Sequence, residues 1–129
     1  MRFGYTILYV EDVARSLDFY ERALGLERRF LHDSGEYGEL ETGATALAFA
    51  THGLAASNLP GVYDEAAEDS GRPPFEVCFV TEDVEGAYGR AVGAGADAIT
   101  EPQTKPWGQE VAYVRDPDGN LIEIASPVE

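Results

Sequence analysis

The chain has 129 residues and a mass of 14.0 kDa, and 44% of its residues are hydrophobic, 11% aromatic and 26% charged. This composition is typical of one folded globular domain and excludes the disordered, collagen-like and disulfide-scaffold classes. The chain carries 24 acidic against 9 basic residues, a formal net charge of -15. Nucleic acids and anionic membrane surfaces are therefore disfavoured as partners, because both are bound through clustered lysine and arginine.

The acidity leaves two interpretations open, a well-solvated surface or attraction of a cationic small molecule. No apolar run approaches the 18 or more residues of a membrane span, and the first ten residues lack the pattern of a signal peptide. Cys78 is the single cysteine, which agrees with a reducing compartment. We therefore expect a cytoplasmic protein that is not bound to a membrane.

The first half of the chain predicts a strand, a helix and three further strands. Tyr5–Val10 is rich in the β-branched and aromatic residues of strands. Asp12 is then the expected cap of a helix that begins at Val13 and ends at Gly25. The three further strands, separated by residues of turn composition, are predicted over Glu27–His32, Tyr37–Glu41 and Thr45–Ala50.

The second half repeats this order. A strand is predicted over Glu76–Thr81, a cap at Asp83 and a helix over Val84–Ala94. Three strands follow, over Asp97–Glu101, Gln109–Arg115 and Asn120–Ala125, the last two joined by a predicted hairpin turn at 116–119. The repeat predicts an α+β fold of two tandem βαβββ modules, at about residues 1–50 and 75–129, within a single domain 1–129.

The segment Thr51–Pro74 between the modules is poor in large apolar residues and rich in turn residues. We interpret it as a linker. A connection of this length inside a compact domain is usually functional or partly ordered. Asp64–Asp69 could supply one short helical turn.

Five segments carry a resemblance to a known family: Ile7–Asp12, Ser16–Tyr20, Leu24–Leu26, Pro106–Gly108 and Asp116–Glu123. In these segments the chain resembles the vicinal oxygen chelate (VOC) superfamily of glyoxalase I, bleomycin resistance proteins, extradiol dioxygenases and fosfomycin resistance enzymes. The resemblance implies two modules whose mixed sheets curl into cups around a cleft, commonly completed by a second chain. We therefore expect a homodimer that binds a small molecule.

The same resemblance implies a position for a divalent ion in the cleft. The residues at the four ligand positions of metal-using members are Tyr5, Ala48, Glu76 and Glu123. Only the two glutamates are good oxygen ligands, because alanine has no donor and a neutral phenol is a poor one. We therefore expect no tightly bound cofactor, and at most a weakly held Mg²⁺ or Mn²⁺ ion on Glu76 and Glu123.

The period of two in strands assigns side chains to the cleft. The expected lining is Tyr5, Ile7, Tyr9 and Cys78, together with Glu76 and Glu123, and the family resemblance implies that Ala48 joins it. Two carboxylates about 4 Å apart repel by roughly 4 kcal/mol at an effective dielectric near 20. A divalent ion, a ligand ammonium, Arg115 or a raised pKa would each offset this repulsion, unless both groups point to water. Glu76 and Glu123 are also the candidate catalytic residues, as a general base.

Three other side chains have two interpretations each. Trp107 is either a lid that stacks on a flat or cationic ligand, or a packing residue. Cys78 could be a nucleophile, but a small apolar filler is the expected role. His52 has the strand parity of Ala48 and could reach the cleft mouth as a stand-in ligand, but we interpret it as a loop histidine.

Two functions remain open. The favoured one is a metal-independent protein of the bleomycin resistance type, which binds a cationic or aromatic small molecule in an acidic cleft. The alternative is an enzyme, a metal-dependent lyase or dioxygenase of the glyoxalase or extradiol dioxygenase type. An enzyme without a metal, with a glutamate as general base, is also open. The sequence names neither the ligand nor a reaction.

Overall fold

The computed structural model describes residues 1–65 and 75–128, which fall into two compact units. The first unit comprises the described residues of Met1–Glu21 and Gly25–Gly71, and the second those of Arg22–Leu24 and Arg72–Glu129.

The first unit contains a four-stranded mixed sheet, sheet A. Its elements in chain order are β1 (Tyr5–Val10), α1 (Val13–Leu24), β2 (Glu27–Leu31), β3 (Tyr37–Glu41), β4 (Ala46–Thr51) and α2 (His52–Asn58). The strand order is β1-β4-β3-β2, with β1 parallel to β4 and the other pairs antiparallel. The helix start predicted at Asp12 is confirmed, since its side chain accepts a hydrogen bond from the Arg15 amide.

The second unit repeats the arrangement in sheet B. Its elements are β5 (Val77–Val80), α3 (Val84–Gly93), β6 (Asp97–Thr104), β7 (Glu110–Arg115) and β8 (Leu121–Ala125). The strand order is β5-β8-β7-β6, with β5 parallel to β8. Asp83 caps α3 through the Gly86 amide, as predicted. The α+β fold with two βαβββ repeats is confirmed, and both sheets stay open.

Helices cover one face of each sheet. In the first unit, α1 lies so close to β3 that a Cβ atom added to Gly38 would come within 2.8 Å of the Leu17 side chain. Tyr20 of α1 also packs on Phe49 of β4, with ring centroids 5.0 Å apart. In the second unit, α3 contacts β6, β7 and β8, and Ile122 and Ile124 are fully buried. Alternate residues on each strand therefore point to the opposite face of the sheet.

The structure corrects three sequence interpretations. The linker interpretation was wrong for 52–58, which form α2, and His52 begins this helix instead of lying in a loop. The helix starts there because the Thr51 hydroxyl accepts a hydrogen bond from the Leu54 amide, a capping pattern that we overlooked. Glu76 immediately precedes β5, although it was predicted within that strand. Most of the turn predicted at Asp64–Asp69, and the linker at 66–74, lie outside the described residues.

Candidate functional site

The strand register of sheet B brings four polar side chains to the face opposite α3. Cys78 pairs with Glu123 across β5 and β8, and Tyr113 pairs with Glu123 across β7 and β8. Residues paired across strands point to the same face, and Glu76 shares the parity of Cys78. We call Glu76, Cys78, Tyr113 and Glu123 the sheet B cluster.

The two carboxyl groups of the sheet B cluster interact directly. The pKa of Glu76 is raised, first by partial burial, then by a hydrogen bond with the Glu123 carboxyl and by repulsion from its charge. Glu123 Oε1 also accepts a hydrogen bond of 3.2 Å from the Tyr113 hydroxyl. The Glu76 carboxyl therefore retains its proton more tightly than usual.

No cationic side chain neutralises this carboxyl pair within residues 1–65 and 75–128. Neither glutamate forms an ion pair with arginine or lysine in that part of the chain. Arg115, the neutralising residue considered from the sequence, instead donates a hydrogen bond of 2.7 Å to the Gly119 carbonyl. The sheet B cluster is thus a negatively charged site at which a cation would be stabilised.

Both remaining groups of the sheet B cluster stay neutral at physiological pH. Burial, followed by the charge of Glu123, raises the pKa of Cys78 to about 11 and that of Tyr113 to about 12. A thiol with a raised pKa is a weak nucleophile, because the thiolate is the reactive form. The Cys78 side chain is exposed, so it does not fill a buried space as expected from the sequence.

Sheet A presents aromatic and apolar side chains on the face opposite α1. Tyr5, Ile7 and Tyr9 alternate along β1, and the first two are 56% and 42% exposed. Ile7 pairs directly with Ala48, which is fully buried on the same face. The side chains of sheet A that were expected to share one face therefore do so. Ala48 contributes only a methyl group to this face.

Sequence reasoning missed a buried glutamate on this same face. Glu39 of β3 pairs with Ala48 and is only 6% exposed. Its carboxylate accepts a hydrogen bond of 2.7 Å from the Tyr37 hydroxyl and one of 3.1 Å from Arg29, which also binds Glu41 through two nitrogens. The alternation of Tyr37, Glu39 and Glu41 along β3 was the available signal. We call Arg29, Tyr37, Glu39 and Glu41 the sheet A cluster.

The ionic bonds of the sheet A cluster shift the pKa values of its members. The hydrogen bond from Arg29 lowers the pKa of Glu41, and the pKa of Arg29 is raised by its hydrogen bonds to Glu41 and Glu39. Burial, and then the hydrogen bond to Glu39, raises the pKa of Tyr37. The polar atoms of this cluster are therefore largely occupied with each other.

The four family positions do not fit a tightly bound metal ion. Tyr5 and Ala48 lie on the paired strands β1 and β4 of sheet A. In the second unit, Glu76 immediately precedes β5, and Glu123 lies on β8, the strand that pairs with β5. The donors at these positions are one phenol and two carboxyls, fewer good ligands than the three or four of a typical zinc site. No cluster of three or more metal-binding side chains occurs in the described part of the chain.

Trp107 lies in the connection between β6 and β7 and is 65% exposed. Its indole Nε1 donates a hydrogen bond of 2.9 Å to the Gln109 side chain. The ring is thus held in place with much of its surface in solvent, which matches a stacking role better than burial in a core.

Comparison with known proteins identifies the family. The model of the Glyoxalase/Bleomycin resistance protein/Dioxygenase superfamily matches residues 2–124. The chain belongs to this superfamily. It is 31% identical to a lactoylglutathione lyase of Neisseria meningitidis, with 96% of this chain and 89% of that protein covered, and 32% identical to the uncharacterized protein YraH of Bacillus subtilis, with 91% of each covered.

The structural comparison agrees. A glyoxalase-related enzyme from Fulvimarina pelagi superimposes with a TM-score of 0.82 at 23% identity, covering 98% of this chain and 88% of that one. The family resemblance and the fold predicted from the sequence are both confirmed. Within the described residues, no helix has the length and apolar character needed to span a membrane.

Proposed function

We propose that this superfamily member binds a small cationic, aromatic molecule at the sheet B cluster, without a tightly held metal. The observation that carries the proposal is the carboxyl pair of Glu76 and Glu123, which has a hydrogen-bonded neighbour in Tyr113 but no cationic partner among the described residues. A ligand cation would supply the missing positive charge. We also propose a cytoplasmic location, because Cys78 has no second cysteine in this chain with which to form a disulfide.

The electrostatic argument favours a cation over a neutral ligand. Two neighbouring carboxyl groups cannot both ionise without repulsion, and this repulsion adds to partial burial and to the hydrogen bond with Glu123 in raising the pKa of Glu76. An ammonium or aromatic cation beside them stabilises both ionised forms at once, and a charge-assisted hydrogen bond contributes about twice as much as a neutral one. The net charge of -15 adds a long-range attraction for cations that salt would screen.

Aromatic character in the ligand is supported by the exposed ring of Trp107 in the same unit. A planar cation can stack on an indole face, where cation–π attraction contributes roughly 0.5–1 kcal/mol at an exposed site. The ligand class that these residues suit is therefore a planar cation, as opposed to an aliphatic anion or a phosphate ester.

The experiment compares two matched probes by thermal shift, N-methylquinolinium and its neutral analogue quinoline. We expect the cation to raise the melting temperature more than quinoline does, because only the cation can pair with the carboxyls. Glu123→Gln should reduce the shift produced by the cation and leave that of quinoline unchanged. Equal shifts from both probes would contradict the proposal.

Glu85→Gln is the matched control. Glu85 lies in the first turn of α3, the helix that covers the opposite face of sheet B, and its substitution removes the same formal charge as Glu123→Gln. A general effect of net charge would appear equally in both variants. An effect of the carboxyl pair appears only in Glu123→Gln.

The alternative function is a metal-dependent lyase, supported by the relatives named lactoylglutathione lyase and by the two carboxyl oxygens as ligands for a hard ion. Against it stands Ala48, which has no donor at one family position. Metal analysis of protein purified without chelator separates the two. We expect far less than one Mg²⁺, Mn²⁺, Zn²⁺ or Ni²⁺ per chain, whereas one ion per chain would favour the lyase.

A further inference from the structure

A second group of chemically reactive side chains lies in the first unit, where β4 ends and α2 begins. His52, Tyr63 and Glu65 meet there. The Tyr63 hydroxyl forms a hydrogen bond with His52 Nδ1, and Glu65 Oε1 lies 3.8 Å from His52 Nε2. The group therefore contains a hydroxyl, an imidazole that contacts it, and a carboxylate at the far nitrogen of that imidazole.

Backbone structure holds the two ring systems in place. His52 is the first residue of α2, which is capped by Thr51. The Tyr63 amide donates a hydrogen bond of 3.1 Å to the Leu59 carbonyl, and the Tyr63 ring packs edge to face on Tyr9 with centroids 5.2 Å apart. The Tyr63–His52 pair is therefore positioned without help from a ligand.

The His52–Tyr63–Glu65 group is partly shielded from solvent. The His52 side chain is 16% exposed and Tyr63 is half-buried, whereas the Glu65 side chain is 67% exposed. Water is thus partly excluded around the hydroxyl and imidazole, which strengthens their interaction.

The order of the three groups is that of an activated nucleophile. Such a site needs a hydroxyl within hydrogen-bond reach of a base, and a third group that favours the charged form of the base. For Nδ1 to accept the hydroxyl proton, the ring proton must lie on Nε2, which is the nitrogen that faces Glu65. The carboxylate also stabilises the imidazolium that forms when the proton is transferred.

We propose that Tyr63 is an activated phenol that reacts with small acyl donors, with His52 as its base and Glu65 as the residue that stabilises the charged base. In the reaction, Tyr63 Oη forms a bond to the acyl carbon while its proton moves to His52 Nδ1. The bond from the acyl carbon to the leaving group then breaks, and the leaving group takes the proton from His52. The proposal is independent of cation binding at the sheet B cluster.

The test uses N-acetylimidazole, which transfers an acetyl group to tyrosine and releases imidazole. Acetylation of each tyrosine is followed over time at neutral pH by peptide mass spectrometry of the intact, folded chain. Tyr5 is the internal reference, because it is 56% exposed and therefore more accessible than Tyr63. We expect Tyr63 to react roughly tenfold faster than Tyr5. This value is conservative, because a positioned general base typically accelerates a reaction by about a hundredfold or more.

Three variants connect this rate to the proposed base. His52→Gln keeps a side chain that can accept the hydrogen bond but cannot take up the proton, and it should reduce the Tyr63 rate to that of Tyr5 or below. Glu65→Gln should reduce the rate less. His32→Gln, which changes the chain's other histidine on the β2–β3 turn, should leave it unchanged. Circular dichroism melts establish that each variant is folded.

Two results would overturn the proposal. One is a Tyr63 rate no higher than that of Tyr5 in the unaltered protein. The other is a Tyr63 rate that neither His52→Gln nor Glu65→Gln changes. If His52→Gln does not fold, Glu65→Gln decides the question, because the Glu65 side chain is largely in solvent.

Discussion

Glu39 on β3 lies directly opposite Ala48 on β4. The equivalent pair in the second unit is Tyr113 on β7 opposite Glu123 on β8. Each repeat therefore carries one glutamate in this cross-strand pair, on β3 in the first repeat and on β8 in the second. In each repeat a tyrosine hydroxyl donates to that glutamate, Tyr37 in the first and Tyr113 in the second.

The Glu39 carboxylate should contribute to the stability of the first unit. We expect Glu39→Gln to lower the free energy of unfolding by about 2 kcal/mol, because a buried, charge-assisted hydrogen bond to Arg29 is weakened and a buried acceptor is replaced. Urea denaturation followed by circular dichroism measures this. Glu41→Gln is the control, since Glu41 binds the same arginine at an exposed site and should cost less. Equal losses in both variants would contradict a special role for the buried group.

The sequence predicted most of the fold because its signals are local. The caps at Asp12 and Asp83, the turn residues after each strand and the alternation of apolar side chains all act within a few residues of one another. The helix α2 was missed because its only strong signal is the Thr51 cap, and its 7 residues include glycine and asparagine, which are poor helix formers.

The site was predicted only in part, because much of it depends on strand register. The alternation within strands put Cys78 and Glu123 on one face, and the two residues pair across β5 and β8. The hydrogen bonds of Tyr113 and of Glu39 depend on which residues pair across strands, a property that periodicity within one strand does not determine. The association of His52 with Tyr63 joins residues on either side of a turn and likewise has no sequence period.

Cys78 should react slowly with alkylating reagents although it is exposed to solvent. Its pKa is raised from 9.0 to about 11, so fewer molecules carry the thiolate, and the higher nucleophilicity of that thiolate compensates only in part. We expect iodoacetamide to modify it roughly tenfold more slowly than a small free thiol at pH 8. Glu123→Gln should accelerate the reaction, because the charge of Glu123 contributes to the raised pKa. A rate equal to that of the free thiol would show that the carboxyl pair does not affect Cys78.

Glu76 should make stability depend on pH in a defined direction. Its pKa in the folded protein is raised above the ordinary value of 4.5, so the folded state holds the proton more tightly than the unfolded state does. The corresponding stability is present below pH 4.5 and is lost as the pH rises through the folded pKa. Glu76→Gln should therefore melt at a higher temperature than the unaltered protein above this range, with the difference shrinking below pH 4.5. Melting curves across pH in which the difference stays constant would contradict the raised pKa.

We predict that the protein is a homodimer. Phe3, just before β1, and Ile7, on β1, expose apolar side chains at one edge of sheet A, and such surface is commonly covered by a partner chain. Sedimentation velocity at tens of micromolar should give a dimer, and Ile7→Lys should shift it toward monomer. A monomer for the unaltered protein would contradict the prediction.

The central claim is that a cation binds at the Glu76–Glu123 pair, and isothermal titration calorimetry tests it most directly. The quantity measured is the affinity ratio of N-methylquinolinium to quinoline, in the unaltered protein and in the double variant Glu76→Gln, Glu123→Gln. We predict a ratio of roughly ten or more in the unaltered protein, because Coulomb attraction between unit charges about 4 Å apart is roughly 4 kcal/mol at an effective dielectric near 20, and a tenfold ratio needs only about 1.4 kcal/mol. The double variant should bring the ratio close to one. A ratio that is the same in both proteins would contradict the account.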